Sequence, residues 1–464
     1  MKLKTVFLAL SLASALPVLA QDESLPELSG VVPLSELVRQ GVITQAQADQ
    51  IRGSAVGIEP RVTSKKHVQK ITISGYGQFA FAYATGHDDA LPNPPANSEF
   101  YLPNMIFGVS ADIGSGFSTT IMANLGAGFS SRNYIEKAYV EKEFEGYGNV
   151  QAGFKKAHFG FEQYTSSRYL PAPNRSIATS YFTSSFNRIG SGVYGTSPAG
   201  LGTTRLGLGA RRLGVYWAGE IPKIDGFEYF AEITQGYQNF SAPSNTGSQN
   251  HMGYSGGIQY THDLDDGMLK VGVNGTYMPE GNSFSAGGLS QSNSIGAVNP
   301  FAEVKYEGFH FIGEFFVANV ENGKASYLNG PTSITGFNSG DATPFGGTFY
   351  ATYLFGDIEP VFRFSMIDSN EAGLNPSVVT RGVAFGGASP GAAPGTAVLS
   401  SSGVGFFNAA QSYYFGVNWY FLGDDAKIGA GYEFVQFGGR WMATSFGGPD
   451  ASEGIFRVAA QVVF

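Results

Sequence analysis

From Ile71 to Phe464 apolar and polar positions alternate with a period of two, in segments of about ten residues separated by Gly, Asp, Asn and Pro. Tyr413, Phe415, Val417, Trp419 and Phe421 fall on one face of such a segment, Ser412, Gly416 and Asn418 on the other. Leu269, Val271, Val273 and Tyr277 alternate with Lys270, Asn274 and Thr276, and Met105, Phe107, Val109, Ala111 and Ile113 with Asn104, Ser110 and Asp112. Successive strand side chains point to opposite faces, so each segment has one greasy and one polar side. A soluble sandwich would alternate in the same way. Two features favour a membrane barrel instead. Large aromatics crowd the greasy faces near segment ends, where interfacial girdles belong, and the connections come in two sizes. Gly423-Asp424-Asp425 and Asp263 to Gly267 are tight turns, whereas Ala157 to Thr203, Val320 to Gly346 and Asp368 to Gly405 are long.

The pattern predicts an all-β, transmembrane antiparallel β-barrel of about 16 strands, a size that leaves an aqueous lumen. Strands are expected to begin near Ile71, Asn104, Phe117, Tyr134, Asn149, Gly207, Phe227, Tyr254, Leu269, Asn299, Phe309, Thr348, Ile358, Gln411, Ala426 and Ile455, with two more or two fewer left open. The last strand alternates Phe456, Val458, Ala460, Val462 and Phe464 with Arg457, Ala459, Gln461 and Val463. A terminal aromatic such as Phe464 on an amphipathic strand resembles the signature read by the outer-membrane barrel-assembly machinery.

Residues 1–20 read as a secretory signal: Lys2 and Lys4 precede an apolar core from Thr5 to Leu16, and Val18-Leu19-Ala20 places cleavage after Ala20. Residues 21–70 read as a periplasmic leader with a short helix over Val31–Gln40, a second opened by Thr44-Gln45-Ala46-Gln47, and a linker; residues 71–464 form the barrel. Composition narrows the classes further. Charged residues make up 14% of 464, against about 25% in soluble domains. No apolar stretch of about 18 residues follows the N-terminus, which argues against membrane helices. The chain has no Cys, so disulfides and thiolate chemistry are excluded, and a formal charge of −9 argues against nucleic acid as a partner.

The run Asn149-Val150-Gln151-Ala152-Gly153-Phe154-Lys155-Lys156, then Phe159-Gly160-Phe161-Glu162-Gln163 and Thr165-Ser166-Ser167, resembles the phosphate-selective porins O and P, whose members carry Gly-x-Phe-Lys, a Pro-Phe-Gly-x-Glu-like turn and a Ser-rich loop. Asn174-Arg175-Ser176 is similar to their acidic-Arg-Ser element, and Leu37 to Thr44 to their leaders. Ala157-His158 stands where Pro is common, and Asn174 replaces an acid. The resemblance implies a homotrimer of 16-stranded channels with a long third loop folded inward. It leaves the solute open.

Polar faces should line water. They carry Lys155, Arg212, Lys270, Lys305, Arg363, Lys427 and Arg457 against Asp112, Glu228, Glu232, Glu303, Glu314, Glu359 and Glu433, a balanced wall that predicts weak discrimination. Cross-strand ion pairing is the competing use of these groups. The stretch from residue 155 to 188 is different: Lys155, Lys156, Arg168, Arg175 and Arg188 face only Glu162 as an acid, and folded inward they would draw anions. Bracing the loop, or meeting lipopolysaccharide phosphates, is the alternative. Tyr164, Tyr169, Tyr181 and Phe182 fit either an aromatic slide for sugars or loop packing. No HExxH, P-loop or GxSxG element is present, no catalytic residue, cofactor or metal is expected, and Asp263 to Gly267 reads as a turn rather than a Ca²⁺ loop. The expectation is therefore passive passage of small polar solutes and ions through an outer-membrane barrel among lipid and lipopolysaccharide, with a weak anion preference. A dedicated phosphate or polyphosphate channel is the first rival. A closed barrel serving as enzyme or adhesin is the second, and a secreted soluble β-protein the third.

Overall fold

A computed structural model describes residues 68–88, 96–127, 135–183, 206–235, 252–286, 289–321, 341–370, 372, 374, 407–423, 425–442, 445–448 and 451–464. The signal, the leader helices and Arg188 lie outside these residues. The chain divides into Met1–Ile58 and Glu59–Phe464, and the described residues all belong to the second unit.

Sixteen antiparallel strands close into one barrel. They are β1 (Lys70–Asp88), β2 (Asn97–Gly114), β3 (Phe117–Asn124), β4 (Ile135–Phe144), β5 (Gly148–Lys156), β6 (Arg211–Glu220), β7 (Phe227–Gln235), β8 (Met252–Leu264), β9 (Gly267–Ala286), β10 (Leu289–Tyr306), β11 (Phe309–Val320), β12 (Phe345–Tyr353), β13 (Ile358–Asp368), β14 (Ala409–Tyr420), β15 (Ala426–Gly438) and β18 (Ala451–Val463). Between the last two, β16 (Arg440–Met442) and β17 (Ser445–Gly448) form a separate hairpin. Each barrel strand pairs with its sequence neighbour in the barrel, and β1 closes on β18 with Tyr76 opposite Val463 and Asp88 opposite Ala451. The Phe464 and Gly75 backbones exchange hydrogen bonds of 2.9 and 3.0 Å, completing that seam. Closure leaves no edge, as a sheet immersed in hydrocarbon requires.

The outer skin is the predicted greasy face. Phe79, Ile258, Trp419 and Val462 are each more than half exposed, an arrangement that suits lipid and not water. At the short-turn end the amphipathic aromatics anchor the turns: Trp217 Nε1 and Tyr229 OH both donate to the Tyr147 carbonyl, at 3.1 and 2.7 Å.

Twelve strands begin within three residues of expectation, and four differ. β2 begins at Asn97 rather than Asn104, because Leu102 and Pro103 sit in a bulge where the β1 register slips between Gln78 and Ala80. β10 begins at Leu289 rather than Asn299, since its polar first turn-lengths pair with β9 beyond the last rungs to β8 and β11. β18 begins at Ala451, and β6 at Arg211, Gly207 being a loop residue with φ of 63°.

Candidate pore constriction

The β5–β6 connection turns back into the barrel. After β5 it forms a four-residue helix α1 (Phe161–Tyr164), a 3₁₀ turn at Ser167–Tyr169 and helix α2 (Ile177–Thr183), and returns through Leu206 and Leu208 to β6. Two glycines permit this path. Gly153 has φ of +151°, and a Cβ there would collide with the Ala138 carbonyl and lie 2.6 Å from Tyr139 Cα. Gly160 opens α1 at φ +86°, where a Cβ would sit 2.6 Å from Thr183 Cγ2. Gly153→Ala is therefore expected to reduce the folded, heat-modifiable fraction on unheated SDS gels, by disturbing the β4–β5 ladder at the root of the loop.

The motif pieces meet in space. Glu162, 1% exposed, accepts from the Ser176 amide at 3.0 Å, the Ser176 hydroxyl at 2.7 Å and the Tyr350 hydroxyl. Arg175 spends its guanidinium on the loop itself, donating to the carbonyls of Glu162, Gln163 and Thr165 at 3.1–3.3 Å and to Ser167 Oγ at 3.3 Å. A buried carboxylate and a guanidinium are tolerated here because each is saturated with partners.

The loop docks on one side of the wall. Phe182 stacks on Phe316 at 4.9 Å, and Phe161 on Phe301 at 4.8 Å. Glu314 Oε1 accepts from Thr179 Oγ1 at 2.6 Å, and Ser365 Oγ from the Ala178 amide at 3.2 Å. Arg363, fully buried, donates to the Asn174 carbonyl at 2.7 Å, the Tyr350 hydroxyl at 3.0 Å and Glu433 at 2.7 Å, and Arg457 reaches the other Glu433 oxygen at 2.8 Å. Lys427 donates to the Leu170 carbonyl at 3.0 Å and Asn418 to the Pro171 carbonyl at 2.8 Å.

Several expected roles change accordingly. Arg363, Lys427, Arg457, Glu314, Glu359 and Glu433 are buried beneath the loop or within wall hydrogen bonds. Among the loop cations, Arg175 and Lys156 are braces: the Lys156 ammonium donates to the Gln163 carbonyl at 3.2 Å. Tyr181 and Phe182 are core residues, so a slide made of all four aromatics is not present. Arg212 is buried against the Gly207 carbonyl, 3.0 Å away. Lys270, Lys305, Glu228 and Glu303 sit towards the short-turn end, where Glu303 meets Lys305 at 3.4 Å and His310 at 2.8 Å, and Gln259 donates to Glu228 at 2.6 Å. Asp265 and Asp266 form a plain turn, and no group of three potential metal ligands stands together among the described residues.

The opposite wall is less completely covered. Asn104, Ser110, Lys137, Tyr139, Glu141 and Gln151 on β2, β4 and β5 are part-exposed, whereas Gln78, Thr120 and Asn124 are buried. Tyr164 and Tyr169 are 46% and 47% exposed. An amide ladder runs from Gln461 to Gln78 at 2.7 Å and on to Asn104 at 2.5 Å. Lys155 projects towards this side, bonded to Gln151 at 2.6 Å and lying 4.8 Å from the Tyr216 ring, while Arg168 stacks 4.4 Å from Tyr169. The sequence reading missed Lys137, Glu141 and the amides. For the amides the signal was available as uncharged polar residues on the inward faces of β1 to β3; for Lys137 and Glu141 it was their shared parity on β4.

His158, where the resembled family commonly has Pro, pins the loop root. Its amide donates to Glu232 Oε1 at 2.8 Å, its Nδ1 meets the same oxygen, and its ring lies 3.8 Å from Tyr164 and 4.7 Å from Phe230. Burial pushes the imidazole below its ordinary value of 6.5, with Glu232 opposing and Lys155 assisting the shift. An unfolded or detached loop would bind the proton first, so this anchor is fully effective above about pH 6.5 and weakens as pH falls towards the lower native value. Hydrogen exchange at residues 157–164 is expected to speed up on acidification from pH 7.5 to 5, and His158→Gln should flatten that dependence.

A family model described as phosphate-selective porin O and P matches residues 86–297, somewhat less than half of the chain. Among solved structures, the outer membrane channel DcaP of Acinetobacter baumannii is 12% identical, with 86% of this chain and 99% of that chain covered and a TM-score of 0.51. OprB of Pseudomonas putida is 10% identical over 84% and 94%, TM-score 0.47, and a loop-deleted OmpT of Vibrio cholerae 12% identical over 85% and 99%, TM-score 0.44. No curated protein matches the sequence.

Proposed function

We propose that this chain, a bacterial outer-membrane β-barrel resembling the O and P porins, is a passive diffusion channel for small polar solutes and ions with a weak anion preference. The observation that carries the reading is the one-sided docking of the β5–β6 loop. It contacts the inward faces of β11 to β15, while inward residues of β2, β4 and β5 keep part of their surface exposed, which supports an open passage on that side. Charged groups on that side are the part-exposed Lys137, Glu141 and Arg168 and the buried Lys155, a modest positive excess in a confined space. Arg175 and Lys156 donate to carbonyls of the loop itself, which takes them out of the charge available to passing anions and supports the weakly selective reading. The homotrimer, entry through the assembly machinery by way of Phe464, and the absence of enzymatic activity belong to the same proposal.

The test is a planar-bilayer measurement on purified protein in a KCl gradient. Steady conductance with a reversal potential leaning to chloride is expected. Absence of steady current would remove the channel reading, and equal permeability would remove the anion preference. A chloride current that saturates and is blocked by millimolar phosphate would transfer support to the phosphate channel.

A further inference from the structure

The outer skin carries a groove of about 660 Å³. It lies across β8 to β11 at the end opposite the short turns. Its upper rung runs Tyr254, Tyr277, Gly296, Asn319, and its lower rung Gly256, Gly275, Val298, Val317. Tyr254 and Tyr277 stand up on one side, 47% and 49% exposed, and Val298 and Val317 on the other. The floor is glycine.

Glycine weakens a strand interior, so each one asks for a reason. Lumen-facing glycines have one: a Cβ on Gly272 would lie 2.5 Å from the Phe301 ring, and a Cβ on Gly431 would collide with the Tyr414 hydroxyl. The floor glycines differ. A Cβ on Gly256, Gly275 or Gly296 would find its nearest neighbour at 3.4, 3.9 or 3.7 Å, ordinary contact distances, and none of the three has a positive φ. The fold does not need these positions empty.

We infer that the groove seats an acyl chain of lipopolysaccharide in the outer leaflet. The groove is continuous with the lipid-facing band, with Ile258 and Val273 exposed directly below it. Its exposed walls are the apolar and aromatic Tyr254, Tyr277, Val298 and Val317; the lining residues Ser255 and Thr276 bond each other, and Asn319 and Thr343 stand at the loop end, where a headgroup region begins. A flexible chain lying along the groove recovers dispersion contacts that a bulkier head could not make. The long-loop end of the barrel faces the outer leaflet, whose glycolipid is lipopolysaccharide. The inference depends on the membrane-barrel architecture and not on the anion preference.

Gly275→Leu and Gly296→Leu fill the groove with a side chain that hydrocarbon tolerates. Gly77→Leu adds the same group on the outer face of β1, where a Cβ meets nothing within 4 Å. All three should fold, as read by heat-modifiability. The measurement is native mass spectrometry of barrels extracted from lipopolysaccharide-containing vesicles. Wild type and Gly77→Leu are expected to retain one more lipopolysaccharide per barrel than either groove variant. Equal retention in all four overturns the inference, as does retention of phospholipid in place of lipopolysaccharide. Loss of oligomeric state in the groove variants also overturns it, since the occupant would then be a second copy of the chain. Wild-type bilayer conductance is read separately, so failure here leaves the channel proposal standing.

Discussion

Arg363→Leu is expected to release the inward loop and raise single-channel conductance well above wild type, while the barrel itself remains assembled. Arg363 is the junction at which three elements meet: the loop through the Asn174 carbonyl, β12 through Tyr350, and β15 through Glu433. Its removal strips Glu433 of one of two guanidinium partners and removes the donor that orients the Tyr350 hydroxyl, itself bonded to Glu162. Breaking a buried pair by deleting one member costs about 3–5 kcal/mol, because the remaining charge stays desolvated. The loop loses its Arg363 bond at the Asn174 carbonyl, while the backbone ladder continues through β12, β13 and β14 in unbroken register. Arg363→Lys keeps the charge but loses the fork that reaches three acceptors at once, so it should restore the small conductance only in part. Limited proteolysis within residues 157–183 supplies the companion readout, with faster cleavage in Arg363→Leu than in wild type.

The second large effect is on selectivity. Reversing both Lys155 and Arg168 to Glu is expected to turn a weak anion preference into a cation preference. The gap's charged groups, Lys137, Lys155 and Arg168 against Glu141, give a net of +2, and the double reversal gives −2. Rings and clusters of one sign govern which ions enter a narrow pore, and the low-dielectric surroundings amplify each charge. Arg168→Glu alone, at the more accessible position, should move the reversal potential part of the way. If the double variant keeps the wild-type reversal potential, the gap described here is not where ions are sorted.

The barrel was readable from the sequence because a lipid-facing skin and a wet interior impose opposite chemistry on alternate residues. The runs Tyr413–Trp419 of β14 and Leu269–Tyr277 of β9 carry that alternation on their outer faces. What the alternation hid was the loop's docking wall. On β11 both faces are apolar: Phe309, Phe311 and Phe315 face outward, while Ile312 and Phe316 face inward under Phe182 and Ala172. Tyr350, Val361 and Ile367 repeat the pattern on β12 and β13. Inward apolar residues on a polar face mark where the interior is filled with protein, and reading them so would have located the wall. The charge inventory misled for a related reason. A count of acids and bases gives their number but not their partners, and Arg175, Lys156, Arg363 and Arg457 find theirs on segments distant in sequence. Glu162 and Ser176 show the positive counterpart: two motif fragments separated along the chain were recognisable because they form one hydrogen-bonded unit.

Passage of solute requires an open gap between the loop tip and the β1–β5 wall. The chain has no native cysteine, so a single Tyr169→Cys reports on that gap without background. A charged thiol reagent added during single-channel recording is predicted to produce a discrete drop in current. Val361→Cys, buried beneath the loop, should give no step. Full labelling of Tyr169→Cys with the current unchanged would contradict the account.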